Sequence, residues 1–303
     1  MGVEAGAADF ISVPVRRHAL VAALVALRPH QWTKNLLVFA GIVFAVQLDD
    51  PVAWLQATAC FLAYCAASSA AYLFNDIRDR DADRAHPVKR RRPIASGELS
   101  VRTASWMAVG MLAVALATIA PLGIESTGLL ALFLALQTAY TLRLKHVVLV
   151  DVLVIAGLFV IRAAAGAEAV SVLISPWLLL CTGLLALFLA LGKRRGELVL
   201  VEQQETPGRR VLDGYTVAAI DQFIAITAAG TIVAYALYTF TASVSSSLMI
   251  TIPYVVFGVF RYMLLLHGRR VGEEPEHVLV TDGPILAAVC AWAVTCVAVL
   301  ALD

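Results

Sequence analysis

Charge is scarce in this chain. Only 15% of its 303 residues are charged and 60% are hydrophobic, whereas a soluble domain carries about 25% charged and about 45–50% apolar residues. With a mean hydropathy of +0.83, that deficit excludes a soluble globular enzyme and a disordered chain. Cysteine is sparse and unpatterned. The five, Cys60, Cys65, Cys181, Cys290 and Cys296, fall in apolar runs and form no CxxC pair. That excludes a disulfide scaffold and reads as small buried hydrophobes. No HxxxH or Cys/His spacing suggests zinc. A phosphate-binding glycine loop, a dinucleotide fingerprint and any nucleic-acid motif are all missing, so nucleic acid is not an expected partner. No run alternates in the ten-residue manner of an outer-membrane barrel. Residues 1–15 carry Glu4 and Asp9 and no basic stretch, unlike a cleaved signal.

Long apolar runs fill the rest. A helix needs about 20 apolar residues to cross about 30 Å of hydrocarbon. Nine such runs occur, at 34–48, 53–74, 103–121, 126–143, 147–164, 173–192, 216–241, 246–267 and 283–301. The expected fold is an all-α polytopic membrane protein of nine transmembrane helices. It forms one integral membrane domain over 1–303, with a cytoplasmic or interfacial segment at 1–33 and a bundle at 34–303. Residues 16–33 mix Arg16, Arg17, His18 and Arg28 with apolar residues, as an interfacial helix does.

The basic residues are one-sided. Alternating the loops puts 21 of the 23 Lys and Arg on the side of the N-terminus, the other two being Arg162 and Arg261 inside spans. The opposite loops hold only Asp49, Asp50, Glu125 and Glu168 as charges. The positive-inside rule puts the basic side in the cytoplasm, at the inner (plasma) membrane. Charge retained at a membrane boundary points to function, so chemistry is expected on that face, in the loops near 76–102 and 193–215.

The first of these loops carries ordered carboxylates. Asn75, Asp79 and Asp83 are four residues apart and share one helix face if the second span continues. Three oxygen-bearing side chains in a column repel one another unless a cation lies between them. Hard oxygen ligands that leave room for water suit Mg²⁺, which also binds substrate phosphates. The run Lys89–Arg92 follows at once, so metal-binding carboxylates stand beside cations for phosphate. The competing reading is a solvated helix end with local ion pairs such as Asp76–Arg80.

The pattern Asn75-Asp76-x-x-Asp79-x-x-x-Asp83, followed by Lys89-Arg90-x-Arg92-Pro93-Ile94-Ala95-x-Gly97, resembles the UbiA superfamily of intramembrane prenyltransferases. The resemblance implies nine helices around a central cavity that opens to the membrane, in agreement with the span count. Typical members carry a second aspartate motif, D-x-x-x-D, after the sixth span. Here that stretch reads Gly192-Lys193-Arg194-Arg195-Gly196-Glu197, with adjacent cations in its place. A lipid diphosphate needs metal neutralisation, whereas Lys and Arg alone can hold a lipid monophosphate.

Stretches spread over the chain, among them Arg28-Pro29-x-Gln31-Trp32-x-Lys34-Asn35, Leu144-Lys145-His146, Ile161-Arg162-Ala163 and Glu274-Pro275-Glu276, are similar to the branch of that family that transfers 5-phosphoribosyl from phosphoribosyl diphosphate to decaprenyl phosphate in cell-wall arabinan synthesis. The resemblance implies that Asn75 and Asp79 hold Mg²⁺ on the diphosphate. Asp76 and Asp83 would help through direct, water-mediated or supporting contacts. Lys34, Tyr72, Lys89, Lys145 and Arg162 would bind phosphoribosyl diphosphate, and Lys193 and Arg194 the lipid phosphate. Membrane lipid surrounds such an enzyme, and the relatives imply a homo-oligomer, by analogy a trimer. The alternative is a prenyltransferase with an aromatic acceptor.

Arg162 is the least comfortable residue on topology alone, because a charge deep in a span costs roughly 2.5–3.5 kcal/mol on insertion scales. It is expected to face the cavity and meet an anion, or else to pair with a backbone carbonyl or an acid. Arg261 can snorkel. Trp32 reads as an interface anchor. His30, His86 and His146 lie near the candidate site, and Gly97 reads as ending a turn. The acidic loop 271–282 either caps the site or is simply solvated.

Overall fold

The computed structural model describes residues 17–44, 49–86, 88–202, 210–241, 246–268, 278 and 281–302. The Glu274-Pro275-Glu276 stretch, Arg16 and residues 203–209 lie outside them. Every regular element among the described residues is helical. They are α1 (Ala19–Leu27), a 3-10 segment (Pro29–Phe39), α2 (Ala40–Phe44), α3 (Pro51–Arg78), α4 (Arg80–Ala85), α5 (Pro93–Ser96), α6 (Val101–Ile119), α7 (Ile124–Leu142), α8 (Val150–Ala169), α9 (Pro176–Glu202), α10 (Val217–Thr241), α11 (Ile252–Gly268) and α12 (Gly283–Leu302), with short 3-10 turns between several of them.

Local chemistry sets these boundaries. Asp50 accepts the Val52 amide at 2.8 Å with Pro51 at the first helical position of α3, a favourable start because proline has no amide to leave unsatisfied. Ser100 caps α6 through the Thr103 amide at 3.0 Å. Gly97 ends α5 at φ 81°, a left-handed conformation that costs glycine little.

Among the described residues seven helices are long and apolar enough to cross a membrane, so the chain is an integral membrane protein. The two remaining expected spans differ for separate reasons. α7 is there, but Glu125, Ser126, Thr127, Gln137, Thr138 and Thr141 dilute its apolar character. The run at 34–48 is the 3-10 segment followed by the short α2, and 45–48 lie outside the described residues. A 3-10 segment is wound more tightly than an α-helix and has poorer hydrogen-bond geometry, and this one packs between α3 and α8. The approach is close: a Cβ on Gly166 would fall 1.8 Å from the Val38 carbonyl oxygen, and one on Gly41 2.7 Å from the Ala167 Cα.

α8 is the hub of the bundle. Val154, Leu158, Ala165 and Ala169 belong to one core with residues of α3, α6 and α7. Val152 belongs to a second core with α9, α10 and α11. α6 and α12 turn most of their surface outward, as lipid-facing helices do. Four cysteines are buried as expected; Cys290 is exposed, on outward-facing α12.

Candidate active site

The acidic motif sits where α3 ends and α4 begins. Asp79 is the junction, at φ −87°, ψ 6°. The helical hydrogen-bond ladder nonetheless runs through it, with the Asp79 amide on the Asn75 carbonyl at 2.9 Å and the Asp83 amide on the Asp79 carbonyl at 2.8 Å.

The expected single column of three oxygen side chains is divided in two. Asp76 and Asp83 are buried, at 2% and 4% exposure, and Arg92 Nη1 bridges them, at 3.1 Å from Asp76 Oδ1 and 2.7 Å from Asp83 Oδ2. Arg28 grips Asp76 from the other side, Nη2 lying 2.6 and 2.9 Å from its two oxygens. Asp79 is more open and takes Lys145 Nζ on Oδ2 at 2.9 Å. Asp83 therefore leaves the column because a guanidinium draws it inward. Three carboxylates are matched by Arg28, Arg92 and Lys145, which fixes their positions.

Asn75 and Asp79 remain as half-exposed oxygen donors at this junction. Among the described residues no group of three His, Cys, Asp or Glu could hold a metal by itself. This donor set fits Mg²⁺ only where substrate phosphates complete the coordination, the usual mode for that ion.

Tyr72 stands one turn before Asp76. The Arg28 guanidinium lies 4.9 Å from its ring centre, and its hydroxyl reaches Gln31 Oε1 at 3.5 Å. Trp32 is not a free interface anchor: its Nε1 donates to Ser69 Oγ at 3.0 Å, and Ser69 donates to the Leu27 carbonyl at 2.9 Å. This ties the Arg28 turn to α3. Lys34 and Lys89 are half-buried, on the 3-10 segment and after α4. His86 Nδ1 accepts the Val88 and Lys89 amides at 3.2 and 3.3 Å, a turn cap rather than a phosphate ligand. His30 and His146 are exposed.

Among the described residues Arg162 meets no carboxylate. It is 5% exposed, and Nε donates to Asn35 Oδ1 at 2.7 Å while Nη1 donates to the Leu158 carbonyl at 2.9 Å. The Phe133 and Phe159 rings flank it at 4.6 and 5.4 Å.

Arg194 departs most from the sequence expectation. It is 2% exposed, with Nε 2.6 Å from Asp151 Oδ2, Nη1 on Glu197 and Nη2 3.3 Å from the Tyr140 hydroxyl. A guanidinium so buried and so engaged has no face left for a lipid phosphate. Tyr215 completes this cluster: its hydroxyl donates to Asp151 Oδ1 at 2.7 Å and accepts the Leu149 amide at 2.7 Å. Burial, together with the hydrogen bond to Asp151, pushes the Tyr215 phenol up, so it stays a donor. Leu149 is strained at φ 66°, a rare conformation for a side chain that is not glycine. The cluster thus grips both flanks of the turn that carries Lys145. Lys193 is half-buried next to it on α9. Arg195 Nε pairs with Asp221 Oδ1 at 2.6 Å, and Arg261 pairs with Asp282 at 3.0 Å.

Sequence reasoning gave Arg28 no role in this cluster, placed Arg92 only among the cations for phosphate, and did not single out Asp151. Asp151 carried a signal: an acid in the run Val150–Ile155 needs a buried counter-charge.

A helical membrane bundle with a fixed acidic cluster at its charged end is the architecture of an intramembrane transferase. The UbiA prenyltransferase family model matches residues 36–278, and the chain belongs to that family; it is an enzyme of that family. It is 35% identical over 294 residues to the decaprenyl-phosphate phosphoribosyltransferase of Mycolicibacterium smegmatis, covering 90% of this chain and 91% of the relative. The protein of the same name from Corynebacterium glutamicum is 33% identical over 279 residues, covering 88% and 83%. The fold is similar to that of a UbiA homolog from Archaeoglobus fulgidus bound to DMAPP and Mg²⁺, with a TM-score of 0.71, 21% identity and coverage of 92% of this chain and 99% of that one.

Proposed function

We propose that this chain transfers 5-phosphoribosyl from phosphoribosyl diphosphate to a polyprenyl phosphate of the decaprenyl class, releasing diphosphate, at the cytoplasmic face of the plasma membrane. One observation carries the choice of substrates. The charged end of α9 carries no aspartate pair and presents Lys193, its neighbours Arg194 and Arg195 being held by Asp151 and Asp221, so metal is available to one diphosphate only and the lipid partner is a monophosphate. The relatives named above support the same reading, as does the one-sided placement of Lys and Arg.

Asn75 and Asp79 would hold Mg²⁺, which when bound supplies Lewis-acid charge to the departing diphosphate. Lys145, on Asp79 at 2.9 Å, is placed to pass from the carboxylate to a phosphate oxygen. Lys34 and Lys89 add positive charge beside it, and Tyr72 orients the pentose. The bond between the anomeric carbon and the diphosphate oxygen breaks. Positive charge develops on that carbon and the ring oxygen, and a lipid phosphate oxygen attacks from the opposite face with inversion. Lys193 holds that phosphate. The lipid phosphate is already anionic near neutral pH and needs no general base, so catalysis is positioning and electrostatics. Asp76 and Asp83 act through Arg28 and Arg92, and Arg194 acts as scaffold.

The test is transfer of ribose label from phosphoribosyl diphosphate to decaprenyl phosphate by purified protein in detergent. Label enters the lipid in the wild type with Mg²⁺ and is lost with EDTA or in Asp79→Ala. Turnover of a prenyl diphosphate with an aromatic acid, and no lipid label, refutes the assignment in favour of prenyl transfer.

A further inference from the structure

Leu149 holds a backbone conformation that its side chain disfavours, φ 66° and ψ −39°. It stands at the N-cap of α8 and makes no capping hydrogen bond there, so starting the helix does not account for the strain. A strained residue persists only where its surroundings over-determine it, and such residues gather where geometry matters to function. What holds this one is the Tyr215 hydroxyl, which accepts the Leu149 amide at 2.7 Å and donates to Asp151 Oδ1 at 2.7 Å. Tyr215 is itself well anchored. It is buried and, with Val211 and Leu212, belongs to the core shared with α9, α10 and α11. Gly214 lets this segment press so closely on the turn that a Cβ there would run into Val148 Cγ2.

The strained residue closes the turn that carries Lys145. Lys145 lies four residues before it, in the 3-10 turn Leu144–His146. Backbone hydrogen bonds run through the whole stretch: the His146 amide meets the Arg143 carbonyl at 3.0 Å, the Val147 amide the Leu144 carbonyl at 3.1 Å, and the Asp151 amide the Val147 carbonyl at 3.0 Å. A change of conformation at Leu149 is therefore passed to Lys145. The Lys145 side chain is only 17% exposed, and its Nζ reaches Asp79 Oδ2 at 2.9 Å. A stem packed to that degree has little freedom to swing and make good a displaced backbone.

We infer that Tyr215 is a positioning residue for Lys145: its hydroxyl holds Leu149 in the strained conformation that aims the ammonium at the diphosphate site beside Asp79. The assignment rests on the proposed function only in naming diphosphate as the group that Lys145 meets. It gives a buried tyrosine that touches no phosphate a share in binding one. It also assigns a use to the strain, which the helix start by itself does not require.

Binding of inorganic diphosphate with Mg²⁺ to the full chain in detergent reads the effect, because a pentose donor and a prenyl donor both carry that group. Size exclusion checks that each variant is folded. Lys145→Ala is expected to weaken binding up to about a hundredfold, as loss of a hydrogen bond to a charged group does. Tyr215→Phe keeps the ring in the core, removes the hydroxyl, and is expected to weaken binding about tenfold, within the bound set by Lys145. In the Lys145→Ala background it has no further effect, since residues that act as one unit are not additive. Leu149→Gly supplies the rescue. Glycine takes positive φ readily, so Tyr215→Phe with Leu149→Gly regains most of the lost affinity, whereas Tyr215→Phe with Leu149→Ala, which keeps the Cβ, does not. A tyrosine that merely supports the fold would weaken binding equally with and without Lys145 and be rescued by neither change, and that result overturns the proposal. So does wild-type affinity in Tyr215→Phe, or a wild type that does not bind diphosphate. Diphosphate binding that follows this pattern, in a protein that moves no ribose label to lipid, would refute the transfer reading while upholding the role of Tyr215.

Discussion

Asp151→Asn tests whether Arg194 is scaffold or ligand. Asp151 is fully buried and Arg194 nearly so. Removing one partner from a buried pair costs about 3–5 kcal/mol, mostly because the other charge is left uncompensated. Glu197 also bonds Arg194 and remains in place, so the loss belongs at the lower end, about 3 kcal/mol. Arg194→Met leaves Asp151 with the Tyr215 hydroxyl and costs a similar amount. Together the two changes remove both charges, and their combined effect should fall short of the sum by about 2 kcal/mol. Asp221→Asn is the control: it breaks an equally short contact to Arg195, but with side chains 15% and 32% exposed, and should cost about 1 kcal/mol or less. The assay is reversible unfolding in detergent by added sodium dodecyl sulfate, followed by tryptophan emission. Additive losses at Asp151 and Arg194, or an Asp221 variant as damaged as the Asp151 variant, would refute the argument that burial makes this pair structural.

Other consequences follow from the same geometry. Arg92→Gln releases both Asp76 and Asp83 and should lower apparent Mg²⁺ affinity or transfer rate about 10–100-fold, as loss of a supporting contact at a metal site does; a Mg²⁺ titration of the transfer rate reads it. Tyr215→Phe frees the Leu149 amide, so hydrogen exchange in the peptide containing 143–149 should speed up, while that of α12 stays unchanged. Gly166→Ala places a Cβ 1.8 Å from a backbone oxygen and should abolish folded protein on size exclusion. Gly110→Ala, with nothing within 4 Å, should be neutral or stabilising by up to about 1 kcal/mol.

Hydropathy located the long helices well because length and apolarity are local properties. The run at 53–74 became α3, Pro51–Arg78, and 216–241 became Val217–Thr241. At 34–48 it did not reveal the helix type, since a buried 3-10 segment looks the same as a short span until its neighbours are known. The acidic motif was legible from spacing, yet its division was not. Asp83 could be assigned to Arg92 only once α5 had folded back, and Arg28 lies 48 residues before its partner Asp76. The Lys145–Asp79 pair, 66 residues apart, joins two residues singled out separately, Asp79 for Mg²⁺ and Lys145 for phosphate. Arg194 reads from sequence as one more phosphate cation beside Lys193 until Asp151 is seen facing it.

The 3-10 segment bears on how the chain enters the membrane. Its backbone is sheltered by α3 and α8, and Asn35 is secured by Arg162, 127 residues further along the sequence. During synthesis the segment emerges long before α8 does. Until α8 arrives the buried Asn35 side chain lacks its Arg162 partner and Val38 has no Gly166 to pack against, so the segment can settle only then. Insertion is therefore not a simple march from first helix to last. The N-terminal part of the bundle is completed by a return step, and a chain stalled or truncated before Gly166 would be left with an unsheltered segment for membrane quality control to recognise.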